Sequence, residues 1–170
     1  MRIYKRLSCV LVALTMAMTT VHAAGVSPTE ALQIKADIKQ LVDNYAITRD
    51  NWDAKAHAAL FTEHARLIMN GAVTEGSAAI QKRVEGLNHD GRSLHMMTSS
   101  QTTIIDKDHA TGIQYIAVYT NTPDKPVKED ESIAVKGPSR MGKYFDKYER
   151  TPDGWKFTER RLQTVFTTAE

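Results

Sequence analysis

The spacing of apolar residues in this chain changes once, near residue 90, and that change limits the folds open to it. Before it, Ile34, Ile38, Leu41, Val42 and Tyr45 recur at helical intervals and form one apolar stripe. After it, Leu94–Ile105 alternates and Thr111–Thr120 is β-branched and aromatic. Met141–Arg150 and Trp155–Phe166 then flank the tight turn Thr151-Pro152-Asp153-Gly154. Helices first and long strands afterwards imply an α+β fold. About three N-terminal helices would pack on one face of a strongly curved antiparallel sheet, leaving a cavity between the layers.

Local signals set the expected boundaries. Ser27-Pro28-Thr29-Glu30 is a capping box with proline at the first helical position, and predicts a helix over 28–48. Asp50 or Asn51 is the expected cap of a second helix carrying Trp52, Ala56, Ala59, Leu60 and Phe61. A short strand at 67–70 turns at Gly71 and returns over 72–74. Ser77 is the expected cap of a third helix over 78–86, with Ile80 and Val84 facing inward. The proline-bearing, charged stretch 121–139 reads as an exposed connection with a short strand at 132–135.

The first residues read as a secretory signal peptide. Arg2, Lys5 and Arg6 precede an apolar run from Leu7 to about Val21, and Val21-His22-Ala23 is a small-residue cleavage pattern. The run is shorter than the ~20 residues of a spanning helix, so no stable membrane anchor is expected. Cys9 precedes most of the run, where a lipid-modified cysteine would follow it. Cleavage near Ala23 would leave a single domain over 24–170, periplasmic or secreted. Cys9 is the only cysteine, so that domain would have no disulfide, thiol nucleophile or thiolate metal ligand. The leader takes three of the 22 basic residues and none of the 20 acidic ones, leaving 19 against 20. That balance argues against nucleic acid as a partner. His57, His64, His89 and His109 make no metal-ligand spacing, and neither a phosphate-binding glycine loop nor a serine nucleophile elbow is present. No cofactor and no metal are expected.

Several stretches together carry a family resemblance. They are the Tyr45-x4-Asp50 pair after the apolar helix, LFTEHARL, a histidine early in the first long strand, GKYFDKYER and TPDGWKFTERRL. Over Glu30–Phe166 the chain resembles the SnoaL-like branch of the nuclear-transport-factor-2-like (NTF2-like) superfamily. That branch includes scytalone dehydratases, bile-acid dehydratases and hexachlorocyclohexane dehydrochlorinases. The resemblance implies a cone-shaped NTF2-like fold and a homo-oligomer, dimer or trimer, joined through the outer sheet face. It puts His95 at the position of a catalytic histidine, Gln114 nearest the position of a second histidine, and Tyr144 at a substrate-contacting position.

The implied chemistry is proton abstraction. A neutral imidazole titrates near neutral pH and accepts a proton there. Asp50 would orient His95, as the acid of a triad orients its histidine. Tyr45 would donate a hydrogen bond to a carbonyl or leaving group. Each has a structural alternative. His95 fits a hydrogen-bonded strand residue, Asp50 a helix cap, and Tyr45 a core aromatic. Asp53 fits a first-turn acid. Arg160 and Arg161 point to opposite faces of the last strand, and counting back from Trp155 favours Arg160 toward the pocket, where it would meet an anionic group. Trp52 joins Tyr144, Gln114 and Arg160 as a substrate-binding candidate. Met69, Met96, Met97 and Met141 suit an adaptable apolar lining.

The expected function is a cofactor-independent lyase or isomerase for a small apolar carbonyl or aromatic compound. The alternative is a non-catalytic ligand-binding or dimerisation module of the same fold. A third reading makes Asp50 itself the base of an isomerase.

Overall fold

The structure, a computed structural model, describes residues 25–121, 128 and 131–168. The leader-like stretch at 1–23 lies outside the described residues. Among the described residues three helices, α1 (Pro28–Asp50), α2 (Ala54–Ala59) and α3 (Ser77–Glu85), accompany six strands. The strands are β1 (Phe61–Met69), β2 (Ala72–Glu75), β3 (Arg92–Ile104), β4 (His109–Asn121), β5 (Arg140–Thr151) and β6 (Gly154–Thr167). They form one sheet in the order β2-β1-β6-β5-β4-β3. Four of its five pairings are antiparallel; β1 and β6 run parallel, so the sheet is mixed at that seam.

The N-terminal helix forms as its sequence dictates. Ser27 accepts the Glu30 N–H in its first turn, and Ile34, Ile38, Leu41, Val42 and Tyr45 are buried along one stripe. It runs two residues further than the spacing predicts, through Asp50. The cap of α2 is therefore Asp53, whose carboxylate accepts the Ala56 N–H at 2.9 Å, and neither Asp50 nor Asn51. The expected second helix is also shorter at its far end. Leu60 closes it and Phe61 opens β1, with Phe61 buried against Phe157. Ser77 is the first residue of α3; Gly76, at φ +88°, stands in the capping position. Residues 132–135 form no strand, and Ala134 instead accepts a hydrogen bond from the Asn121 side chain.

Curvature has a local cause. The register slips between Met97 and Ser100 on β3, and between Met141 and Gly142 and between Lys147 and Tyr148 on β5. Such bulges bend and twist a sheet. At Gly142 a Cβ would lie 2.2 Å from the Gln163 carbonyl oxygen, so only glycine allows the strands to approach this closely. The inward face carries the core, including Ile116, Val118, Tyr144, Tyr148, Phe157 and Leu162, and α1 lies across β3 on that side.

Candidate active site

The last turn of α1 ends beside the start of β3. Ser93 and His95 are two apart on that strand, so both side chains face the helix while Leu94 faces out. His95 Nδ1 lies 2.6 Å from Asp50 Oδ1, and Ser93 Oγ donates to the same oxygen at 2.7 Å. The His95 backbone N–H donates to Asp50 Oδ2 at 2.7 Å. Burial alone would raise the Asp50 pKa. The bonds from the His95 side chain and backbone, the His95 charge and the Ser93 hydroxyl outweigh it and lower the pKa. A carboxylate only accepts, so His95 Nδ1 carries a proton, and in the neutral ring the lone pair is then on Nε2. Both Asp50 oxygens are occupied and the residue is not on the cavity wall, which argues against Asp50 as the base.

His95 opens onto a cavity of about 140 Å³ between the helices and the sheet. Tyr45, Tyr144 and His57 share its wall with Leu67, Met69 and Val118. Tyr45 and Tyr144 meet edge to face, their hydroxyls 3.5 Å apart. Burial, then the nearby Tyr45, pushes the Tyr144 hydroxyl well above its usual pKa, so it stays protonated. Arg49, Arg83 and Arg140 complete the wall with Val84, Leu87 and Thr120.

Other expected contacts fall elsewhere. Arg160 does face inward, but it is not on the cavity wall and has no exposed surface. Its Nε and Nη2 donate to the two oxygens of the buried Asp146 at 2.8 Å. Its guanidinium stacks 4.0 Å from the Tyr45 ring centre and 4.2 Å from that of Tyr144. Tyr148 donates to Asp146, and Gln114 donates to Tyr148 at 3.2 Å. Gln114 is thus a member of the buried network and not of the wall. His95 stands opposite Val118, whereas Gln114 stands opposite Ser100, beyond the β3 bulge. Trp52 is likewise off the wall. It sits at the α1–α2 junction at φ 57°, stacked on His89 and packed against the Arg49 guanidinium at 4.5 Å. Of the methionines, Met69 lines the cavity, Met97 packs against the core, and Met96 and Met141 are exposed.

Sequence reasoning missed Ser93, His57 and the three wall arginines. Alternation from His95 places Ser93 on the same face. The i, i+3, i+4 set Ala54, His57, Ala58 marks the buried side of α2. Arg49, Arg83 and Arg140 carry no such signal. Among the described residues no cluster of three or more His, Cys, Asp or Glu could hold a metal ion, and no helix is long and apolar enough to cross a membrane.

Residues 30–161 match the family model of the SnoaL-like domain. The chain belongs to the SnoaL-like family. No curated protein matches it by sequence. Among solved structures, this SnoaL-like chain is similar to a putative scytalone dehydratase from Novosphingobium aromaticivorans, at 19% identity and a TM-score of 0.71. The match covers 85% of this chain and 92% of that one. It is also similar to a hexachlorocyclohexane dehydrochlorinase, LinA-type3, from Novosphingobium barchaimii, at 20% identity and a TM-score of 0.66, covering 84% and 93%. An NTF2-like protein with a cystatin-like fold from N. aromaticivorans matches at 24% identity and a TM-score of 0.66, covering 83% and 88%. At these identities the likeness establishes the fold, and the NTF2-like architecture expected of a SnoaL-like protein is the one observed.

Proposed function

We propose that this SnoaL-like protein is a cofactor-independent lyase or isomerase, with His95 as its base. The observation that carries the reading is the Asp50–His95 pair, in which His95 is on the cavity wall and Asp50 is behind it in hydrogen-bond contact. Asp50 fixes the ring and its tautomer, and its negative charge stabilises the imidazolium formed when Nε2 takes a proton. The proton comes from a carbon next to a carbonyl, and the C–H electron pair moves into an enolate. Tyr45 and Tyr144, whose hydroxyls lie 3.5 Å apart, would donate hydrogen bonds to that oxygen. Expulsion of a β-substituent completes an elimination; return of the proton at another carbon completes an isomerisation. Leu67, Met69 and Val118 give the reacting body an apolar seat. A volume near 140 Å³ suits a small compound of about one ring, by comparison with the roughly 150 Å³ cavity that accepts benzene in another protein.

Export rests on the leader-like sequence at 1–23, and a homodimer on the outer sheet face. There Met96, Ala117, Met141 and Phe166 stand side by side across β3, β4, β5 and β6, and Phe166 is 61% exposed.

Proton abstraction is testable without knowing the natural substrate. Cyclic ketones and aryl carbonyl compounds that bind the protein are incubated in deuterated water, and loss of the ligand's α-proton signal is followed by NMR. Wild-type exchange that disappears in His95→Gln while the ligand still binds supports the base. Exchange that persists in His95→Gln removes His95 from that role. A bound ligand that never exchanges returns the cavity to the non-catalytic reading.

A further inference from the structure

Three arginines line the same small cavity from three elements. Arg49 comes from the last turn of α1, Arg83 from the last turn of α3 and Arg140 from the first residue of β5. None of the three forms an ion pair among the described residues. The Arg49 Nη1 is buried and lacks a hydrogen-bond partner. A buried donor left unpaired is costly, and it signals a missing partner. Arg49 is also held in place. Trp52, in a left-handed conformation that a bulky side chain rarely adopts, packs against its guanidinium and also stacks on His89.

The charge around the cavity is unbalanced. Arg160, the arginine that the sequence favours for an anion, is neutralised by Asp146 and contributes no net charge. Asp50 supplies one negative charge, and it is committed to His95 and Ser93. Three arginines against one carboxylate leave the wall electropositive. Burial lowers the Arg49 pKa, and the like charge of Arg83 contributes in the same direction, so the guanidinium would gain from a bound anion.

We propose that the ligand of this cavity carries a carboxylate on a ring-sized apolar body, with the carboxylate held by Arg49 and Arg140, Arg83 at the rim, and the body against Leu67, Met69 and Val118. Guanidinium forks match carboxylates in bidentate geometry, and the limited volume favours this small anion. The proposal narrows the substrate class of the reading above and rests on the same cavity being the working site.

Benzoate and its neutral isostere benzamide are the probes, with binding followed by titration calorimetry on the whole protein. Benzoate is expected to bind more tightly than benzamide. Arg49→Met and Arg140→Met are each expected to weaken benzoate roughly tenfold to hundredfold, the scale of a lost charge-assisted hydrogen bond, and to leave benzamide unchanged. Arg49 also packs on Trp52, so Arg140→Met decides the matter if Arg49→Met unfolds. Equal affinity for the two probes, no benzoate binding at millimolar concentration, or unaltered benzoate affinity in Arg140→Met overturns the proposal. His95→Gln separates the two readings. Benzoate binding retained there, with no proton exchange by the wild type, upholds the carboxylate site and removes the catalytic role.

Discussion

Asp50 accepts two hydrogen bonds from one residue, the Nδ1–H of His95 at 2.6 Å and its backbone N–H at 2.7 Å. The carboxylate therefore fixes the position of the strand as well as the orientation of the ring. It joins the end of α1 to the start of β3, and the same contact serves stability and the proposed chemistry.

The folded pKa of Asp50 lies below its unfolded value, which is about 3.9. Its contribution to stability is thus fully present above that unfolded value and is lost as pH falls through the folded one. Asp50→Asn is expected to cost about 1–3 kcal/mol near neutral pH by weakening three hydrogen bonds. It should also remove part of the acid sensitivity below pH about 4. Urea unfolding of both proteins across that range checks both outcomes.

His57 gives a second, separate pH signature. Its Nδ1 lies 3.0 Å from Thr48 Oγ1, whose own proton goes to the Asn44 carbonyl at 2.7 Å, so Nδ1 must donate. Burial, then the charges of Arg49, Arg160 and His95, lowers its pKa from 6.5 to about 3. The unfolded chain binds this proton more readily, so stability falls as pH drops from 6.5 toward 3. His57→Gln is expected to flatten stability across that interval. Nitrogen-15 NMR should find the wild-type ring neutral and protonated at Nδ1 at pH values where exposed histidines are charged.

Arg160 and Asp146 form a buried, bidentate pair. Arg160→Met leaves an uncompensated carboxylate and is expected to cost about 3–5 kcal/mol. Replacing both with apolar residues, as in Arg160→Met with Asp146→Leu, should recover much of that loss, because no charge then remains buried. A double-mutant cycle by chemical denaturation measures the coupling. Additive losses would show that the two residues act separately.

The outer face of the sheet offers a fourth test. If the row from Met96 to Phe166 joins two copies, Met141→Glu should convert a dimer to a monomer in sedimentation equilibrium while leaving circular dichroism unchanged. Gly142→Ala, one residue away but facing inward, should instead destabilise the protein by about 1–3 kcal/mol or more through the clash with the Gln163 carbonyl.

Much of this arrangement is legible in the sequence because it rests on local periodicity. The stripe of α1 and the alternation of β3 to β6 give the α+β architecture, and the ends of those four strands fall within two residues of expectation, whereas β1 begins six residues before the expected start at 67. Asp50 and Asp53 show where such reasoning stops. Both precede an apolar run, and only the length of α1 determines which one caps the next helix and which one is left for His95. Arg160 shows a second limit. Strand parity places it on the inward face, but its partner Asp146 comes from the register between β5 and β6, which no single stretch encodes. The arginines of the cavity wall meet only through tertiary packing, and in sequence each resembles a solvated surface charge.

The position of β6 bears on how the molecule is made. Among the described residues it is the last strand in sequence order, and it is the one that joins β1 to β5. Until residues 154–167 are synthesised, a helical segment with a short hairpin and a three-stranded meander have no sheet between them. Contacts that close such a long loop form late and slowly. The sheet therefore stays incomplete until residues 154–167 are available, which suits a protein proposed to cross a membrane before it folds.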